Sequence, residues 1–86
     1  MAINPFVVNL LICPETGQSL QLQDESVLAV INAKITAAQL HNRAGEIITT
    51  PLDGVLMRSD KQVFYPVRAD IPIMLIDQSI IASELL

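Results

Sequence analysis

The order of apolar and polar positions divides the chain into short stretches of different period. Asn4-Pro5 reads as a helix start, because an Asn side chain caps exposed amides and proline is tolerated at the first helical position. Phe6 and Leu10, four apart, would share one face of the short helix that follows. Leu11-Ile12-Cys13 then runs extended into the turn Pro14-Glu15-Thr16-Gly17, where Gly17 supplies a positive φ. From 19 to 23 the residues alternate, with Leu20 and Leu22 to one side and Gln21 and Gln23 to the other, as in a half-buried strand. Between about 24 and 38 the period becomes helical: Val27, Ile31 and Ile35 repeat at i+4, with Leu28, Val30 and Ala38 beside them. Asp24 or Ser26 caps this helix, and Asp24 and Glu25 suit the positive end of its dipole. Its polar face is thin (Asn32, Lys34 and Thr36), so one side should be well buried.

Short strands return after Gln39. Leu40-His41-Asn42 and Glu46-Ile47-Ile48 flank Arg43-Ala44-Gly45 as a small hairpin or hooked turn. Asp53-Gly54 punctuates the next connection. Val55-Leu56-Met57-Arg58 and Lys61-Gln62-Val63-Phe64-Tyr65, joined at Ser59-Asp60, form the strongest hairpin signal of the chain. Ile71-Pro72-Ile73-Met74-Leu75-Ile76 is the last β run, with Pro72 confined to its start or to an edge. Residues 79–86 would form one amphipathic turn or a frayed tail. The whole reads as one α+β domain over 1–86: a small antiparallel sheet, a short N-terminal helix and one inserted amphipathic helix at about 24–38.

Composition sharpens the picture of the core. Ile, Leu and Val supply 29 of the 44 apolar residues, while Phe6, Phe64 and Tyr65 are the only aromatic rings, so the interior must be aliphatic. Such a content of branched aliphatics excludes intrinsic disorder. The chain carries five Lys/Arg against nine Asp/Glu, a net charge of −4, and Lys34, Arg43, Arg58, Lys61 and Arg68 are scattered. Direct nucleic-acid binding needs a basic face that displaces counterions, and this chain has none. The apolar stretch at 6–13 ends in a cysteine but lacks a positive leader, and Ile12 is too large for the residue before a lipid-modified cysteine. No run approaches the 18 or so apolar residues of a membrane span. A lone cysteine suits a reducing compartment, so the expected location is cytoplasmic.

Candidate chemistry is sparse. Cys13 is a potential nucleophile and His41 the sole imidazole that could serve it as a base, but a buried structural thiol is the commoner role. Asp24 and Glu25 suit a helix start, and Asp53, Asp60 and Asp70 sit in turns. Phosphate loops, nucleophile elbows and dinucleotide fingerprints are missing. Tetrahedral zinc needs four Cys or His ligands in close pairs, which Cys13 and His41 do not supply. No catalytic residue, cofactor or metal is assigned, and the chain reads as a non-enzyme.

Two segments together resemble a known family. Leu10-Leu11-Ile12-Cys13-Pro14-Glu15-Thr16-Gly17 is similar to the first knuckle of a small zinc-ribbon family. Phe64-Tyr65-Pro66-Val67-Arg68-Ala69-Asp70-Ile71-Pro72-Ile73-Met74-Leu75 resembles its closing signature, Tyr-Pro-Ile-x-Asp-Gly-Ile-Pro-x-Met-Leu. The family comprises the multifunctional methyltransferase subunit of eukaryotes and archaea and the bacterial YcaR-like proteins. The resemblance covers about a quarter of the chain. Where zinc-bearing members place four cysteines, this chain keeps Cys13 and has Thr16, Arg58 and Lys61 at the other positions. Ala69-Asp70 stands where the signature has Asp-Gly.

The resemblance therefore implies a zinc-ribbon-like fold without its metal. Burial of roughly four large aliphatics by the inserted helix would gain about 6 to 12 kcal/mol before ordering costs, comparable with a structural zinc. It also implies a function: the eukaryotic and archaeal members of this family bind and solubilise S-adenosylmethionine-dependent methyltransferases that modify tRNA, rRNA and release factors, while for the bacterial members the resemblance names no partner. The expected partner is thus a protein, with no direct nucleic-acid or membrane contact, and self-association through a sheet edge is an alternative use of the same surface. By resemblance the docking strand is Ile73-Met74-Leu75-Ile76, adjoined by Phe6 and Leu10. The runner-up is a degenerate ribbon within a translation- or nucleic-acid-related complex.

Overall fold

A computed structural model describes residues 11–85, and the side chains of that range up to Ser83. The short helix expected before Leu10, with Phe6 and Leu10 on it, lies outside the described residues. The remaining expectations meet a sheet of five short strands and one α-helix, an α+β fold. In chain order these are β1 (Leu20–Leu22), α1 (Glu25–Thr36), β2 (Gly54–Arg58), β3 (Val63–Arg68), β4 (Ile71–Pro72) and β5 (Ile80–Ile81). All pairings are antiparallel, in the order β1-β2-β3-β4, with β5 also on β3.

The hairpin β2–β3 is the centre of the molecule, and both its faces are covered. Leu56, Val63, Tyr65 and Val67 face one layer with Cys13 and Leu20. Val55 and Phe64 face the other, with Ile31 and Ile35 of α1, then Leu40, Ile48, Leu52 and Ile80. Two-sided burial explains why these strands read as nearly continuous apolar runs. Of the strand 19–23, Leu20 is buried as expected, whereas Leu22 lies at the sheet margin and stays exposed.

Helix α1 is shorter than the 24–38 expected from its period. Asp24 is its N-cap, accepting from the Val27 amide at 3.1 Å. At the other end Ala38 adopts φ +57. The Ala38 amide donates to the Ile35 carbonyl and the Gln39 amide to Lys34, the paired bonds of a Schellman stop. Ile31 and Ile35 are buried, Val27 and Leu28 half-buried and Val30 exposed, so the buried stripe is narrower than the apolar one. Asn32 departs further from expectation. Rather than facing water it donates to the Leu52 carbonyl at 3.0 Å and accepts from the Leu52 amide at 2.8 Å, clamping the 49–53 segment to the helix.

The hooked turn at 40–48 forms as read, with His41 bridging Ile47 and Gly45 at φ +87. Between β3 and β4, Ala69 and Asp70 both take positive φ, the conformation of a two-residue I′ hairpin loop. The Ala69 amide donates to the Asp53 carboxylate and holds this turn.

The run 71–76 is not one strand. β4 ends at Pro72, residues 73–75 leave the sheet, and a 3-10 turn follows at Ile76–Gln78. The cause lies in β3, whose outer edge serves two strands. Continued in the register of Arg68↔Ile71, β4 would set Leu75 opposite Phe64, but Ile80 stands there instead. Ile80 is fully buried, so its seat is the stronger claim on that edge. The chain bulges outward between the two strands, and the presumed tail becomes β5 followed by a 3-10 turn at Ala82–Leu85 rather than a frayed end.

Candidate functional site

Two places in the described residues carry features beyond packing. The first is the turn after Cys13, which faces the turn after β2. The Gly17 amide closes the former on the Cys13 carbonyl at 2.8 Å, with Gly17 at φ +75. The Lys61 amide closes the latter on the Arg58 carbonyl at 2.8 Å, with Lys61 at φ +63. Gln18 ties the two together, accepting from the Ser59 hydroxyl at 2.8 Å and the Asp60 amide at 3.1 Å.

Arg58 lies between these turns with its side chain largely buried. Its guanidinium bonds Asp60 at 2.7 Å and Glu15 at 3.1 Å, and its Nη1 stands 3.9 Å from the Cys13 sulfur. Arg43 reaches the same Glu15 in a two-pronged bond of 2.7 and 2.8 Å. Cys13 is 1% exposed, and its sulfur lies 3.0 Å from the Tyr65 hydroxyl. Burial alone would raise the thiol, but the Tyr65 hydroxyl, Thr16 and nearby amides outweigh it and bring Cys13 down to about 7. Tyr65 moves the opposite way, pushed up by burial and by the bond to Cys13. The bond to Arg58 holds the Asp60 carboxyl down to about 2, and Arg43 lowers Glu15.

This donor set does not suit zinc. A guanidinium has no lone pair to give, and it stands beside the one soft ligand. Among the described residues no group of three or more Cys, His, Asp or Glu converges as metal ligands. The positive charge at the junction of the two turns is instead that of Arg58. The groups brought to Cys13 are a phenol and a guanidinium. The role of Arg58, Glu15 and Arg43 was not legible in the sequence. The nearest signal is Arg58-Ser59-Asp60, an arginine and its carboxylate two apart in a hairpin turn.

The second place is the segment that leaves the sheet after β4. Ile71 is 61% and Leu75 60% exposed, the two largest values among the exposed large apolar residues described. Ile73, Met74 and Ile76 are half-buried, with Met74 packed against the cluster of Tyr65 and Val67. Of the four residues expected as a docking strand, Leu75 alone is thus turned fully outward, and from a loop. The loop is anchored by its backbone. The Ile73 amide donates to Pro66 at 2.8 Å, the Ala44 amide to Asp77 at 3.2 Å and the Arg43 amide to Ser79 at 3.0 Å. No described helix is long and apolar enough to cross a membrane.

No protein-family model and no curated protein matches the chain. Among solved structures, it is similar to the solution NMR structure of XF2673 from Xylella fastidiosa, a structural-genomics target. The two align with a TM-score of 0.76 and 23% identity, over 95% of this chain and 84% of the other. At that identity the likeness is one of fold, an α+β arrangement that both chains share.

Proposed function

We propose that the chain is a non-catalytic protein-binding module that stabilises a larger enzyme, by resemblance an S-adenosylmethionine-dependent methyltransferase acting on tRNA, rRNA or a release factor. The observation that carries this reading is the exposure of Ile71, in β4, and of Leu75, on the loop that follows and is held by backbone hydrogen bonds. Exposed apolar side chains on a fixed scaffold supply contact area at little ordering cost. Pro72 has no amide to offer a partner strand, and β4 is two residues long, so docking here proceeds through side chains more than through strand addition.

The test is affinity purification from the native cell, with mass spectrometry of what co-purifies, for the wild type and Leu75→Asp. A methyltransferase recovered at near-equal stoichiometry with the wild type and lost with the variant is the expected result. Repeated recovery of the wild-type protein alone would overturn the reading.

A further inference from the structure

The sulfur of Cys13 lies in a ring of hydrogen-bond donors. Its own turn offers the Thr16 side chain and the backbone amides of Glu15 and Thr16, β3 offers the Tyr65 hydroxyl at 3.0 Å, and β2 offers the Arg58 guanidinium at 3.9 Å. A guanidinium can only donate, and the phenol, the threonine hydroxyl and the two amides can each turn a proton toward the same atom. A thiol brings one more proton into that ring, whereas a thiolate accepts from every member of it. The other side chains of its buried cluster, Leu20, Leu56, Val63 and Val67, are apolar. The charged groups near the sulfur are Arg58, Glu15 and Asp60, with Arg43 on the far side of Glu15. The two arginines balance the two carboxylates, so ionising Cys13 leaves this cluster one charge negative, and the donors carry the difference. Arg58 bears the reciprocal mark: its hold on the proton is raised by the bond to Asp60 first, and by Cys13 as well.

The contact spans two turns that are far apart in sequence. Cys13 opens the one closed by the Gly17 amide, and Arg58 opens the one closed by the Lys61 amide. We propose that the Cys13 sulfur and the Arg58 guanidinium form a pH-sensitive latch between these turns. Ionised, the sulfur accepts from Tyr65 and Arg58 and draws the turns together. Protonated, it loses its pull on Arg58, which stays bonded to Glu15 and Asp60, so the fold loosens by degrees. The direction of the response follows from linkage. Burial works against ionising Cys13, but the Tyr65 hydroxyl, Thr16 and the Glu15 and Thr16 amides outweigh it and lower the group from 9.0 to about 7. Its contribution to stability is therefore complete above 9.0 and is lost as pH falls through about 7. Glu15 and Asp60 are lowered and stay charged over this window, while Tyr65 is pushed up and stays protonated. Within the cluster, the change near neutrality belongs to Cys13. The latch is independent of the protein-binding reading above.

The test is denaturant titration of the full chain, kept reduced, from about pH 6 to about pH 9, for the wild type and Cys13→Ser. The wild-type folding constant is expected to rise about fiftyfold over that range, the factor set by 9.0 in the unfolded chain and about 7 in the fold. Serine does not ionise here, so Cys13→Ser should show no such rise. In parallel, carbon-13 shifts of the Cys13 Cβ, of the Arg58 Cζ and of the backbone at 58–61 are followed with pH in isotope-labelled wild type. The Arg58 and turn signals should move with the same midpoint as Cys13. A wild-type folding constant that stays level with pH overturns the latch, as does a rise that survives Cys13→Ser. Shifts at Arg58 and 59–61 that ignore the Cys13 titration overturn it equally. That last comparison uses the wild type alone, so it decides the matter even where Cys13→Ser fails to fold.

Discussion

Cys13 has a thiol whose surroundings pull in opposite directions. Burial disfavours the thiolate, while the Tyr65 hydroxyl at 3.0 Å, the Thr16 side chain and the Glu15 and Thr16 backbone favour it. The balance lies with the thiolate, so ultraviolet titration should find a midpoint near 7 rather than the ordinary 9.0. Tyr65→Phe should raise that midpoint, whereas an unchanged midpoint would show that the phenol is not its cause. Asp60 makes the second residue-scale prediction. Its carboxyl is depressed to about 2 from 3.8 by Arg58, so its contribution to stability is present above the ordinary carboxylate range and is lost as pH falls through about 2. Melting temperature should decline over that window, and Asp60→Asn should flatten the decline. A profile identical in the variant would remove the ion pair as its source.

At the scale of elements, α1 and the β3 edge show what period alone conveys. The helical repeat located α1 and left its cap between Asp24 and Ser26, of which the structure uses Asp24, and its end depends on Ala38 in the left-handed region. A side chain there costs about 1 to 2 kcal/mol, partly offset by the greater freedom of an unfolded glycine. Ala38→Gly should therefore stabilise the protein by about 0.5 to 1 kcal/mol in denaturant titration, and a loss of stability would show the turn to be relaxed as it stands. The run 71–76 carried a convincing β pattern and still left the sheet, because Ile80 competes for the place opposite Phe64. Competition between segments far apart in sequence leaves no mark in either one. Asn32 is similar: its partner Leu52 is 20 residues away.

At the scale of the molecule, two features hold the parts together. α1 covers one face of β2–β3 through Ile31 and Ile35, and Arg58 pins the two turns at the sheet's end. Ile31 is wholly buried, so Ile31→Asp should unfold the protein or cost more than about 4 kcal/mol, the scale of an unpaired buried charge. Circular dichroism and thermal melting will report it, and a variant melting like the wild type would dismiss the helix as a structural support. Leu75→Ser should leave the melt within about 0.5 kcal/mol of wild type, as expected for an exposed position.

Read without a structure, the chain already showed an aliphatic α+β domain, the β2–β3 hairpin, a helix cap at Asp24 or Ser26, a hairpin or hook around Gly45 and the turn at Gly17. These are local: each follows from the period of burial or from a residue whose backbone preferences act within a few positions. The Arg58–Glu15–Arg43 network, the Asn32 clamp, the splitting of the 71–76 run and the exposure of Leu75 arise only when distant segments meet. Charge pairs, buried amide partners and competition for a strand edge are properties of proximity in space, and their energies depend on neighbours that sequence spacing does not name.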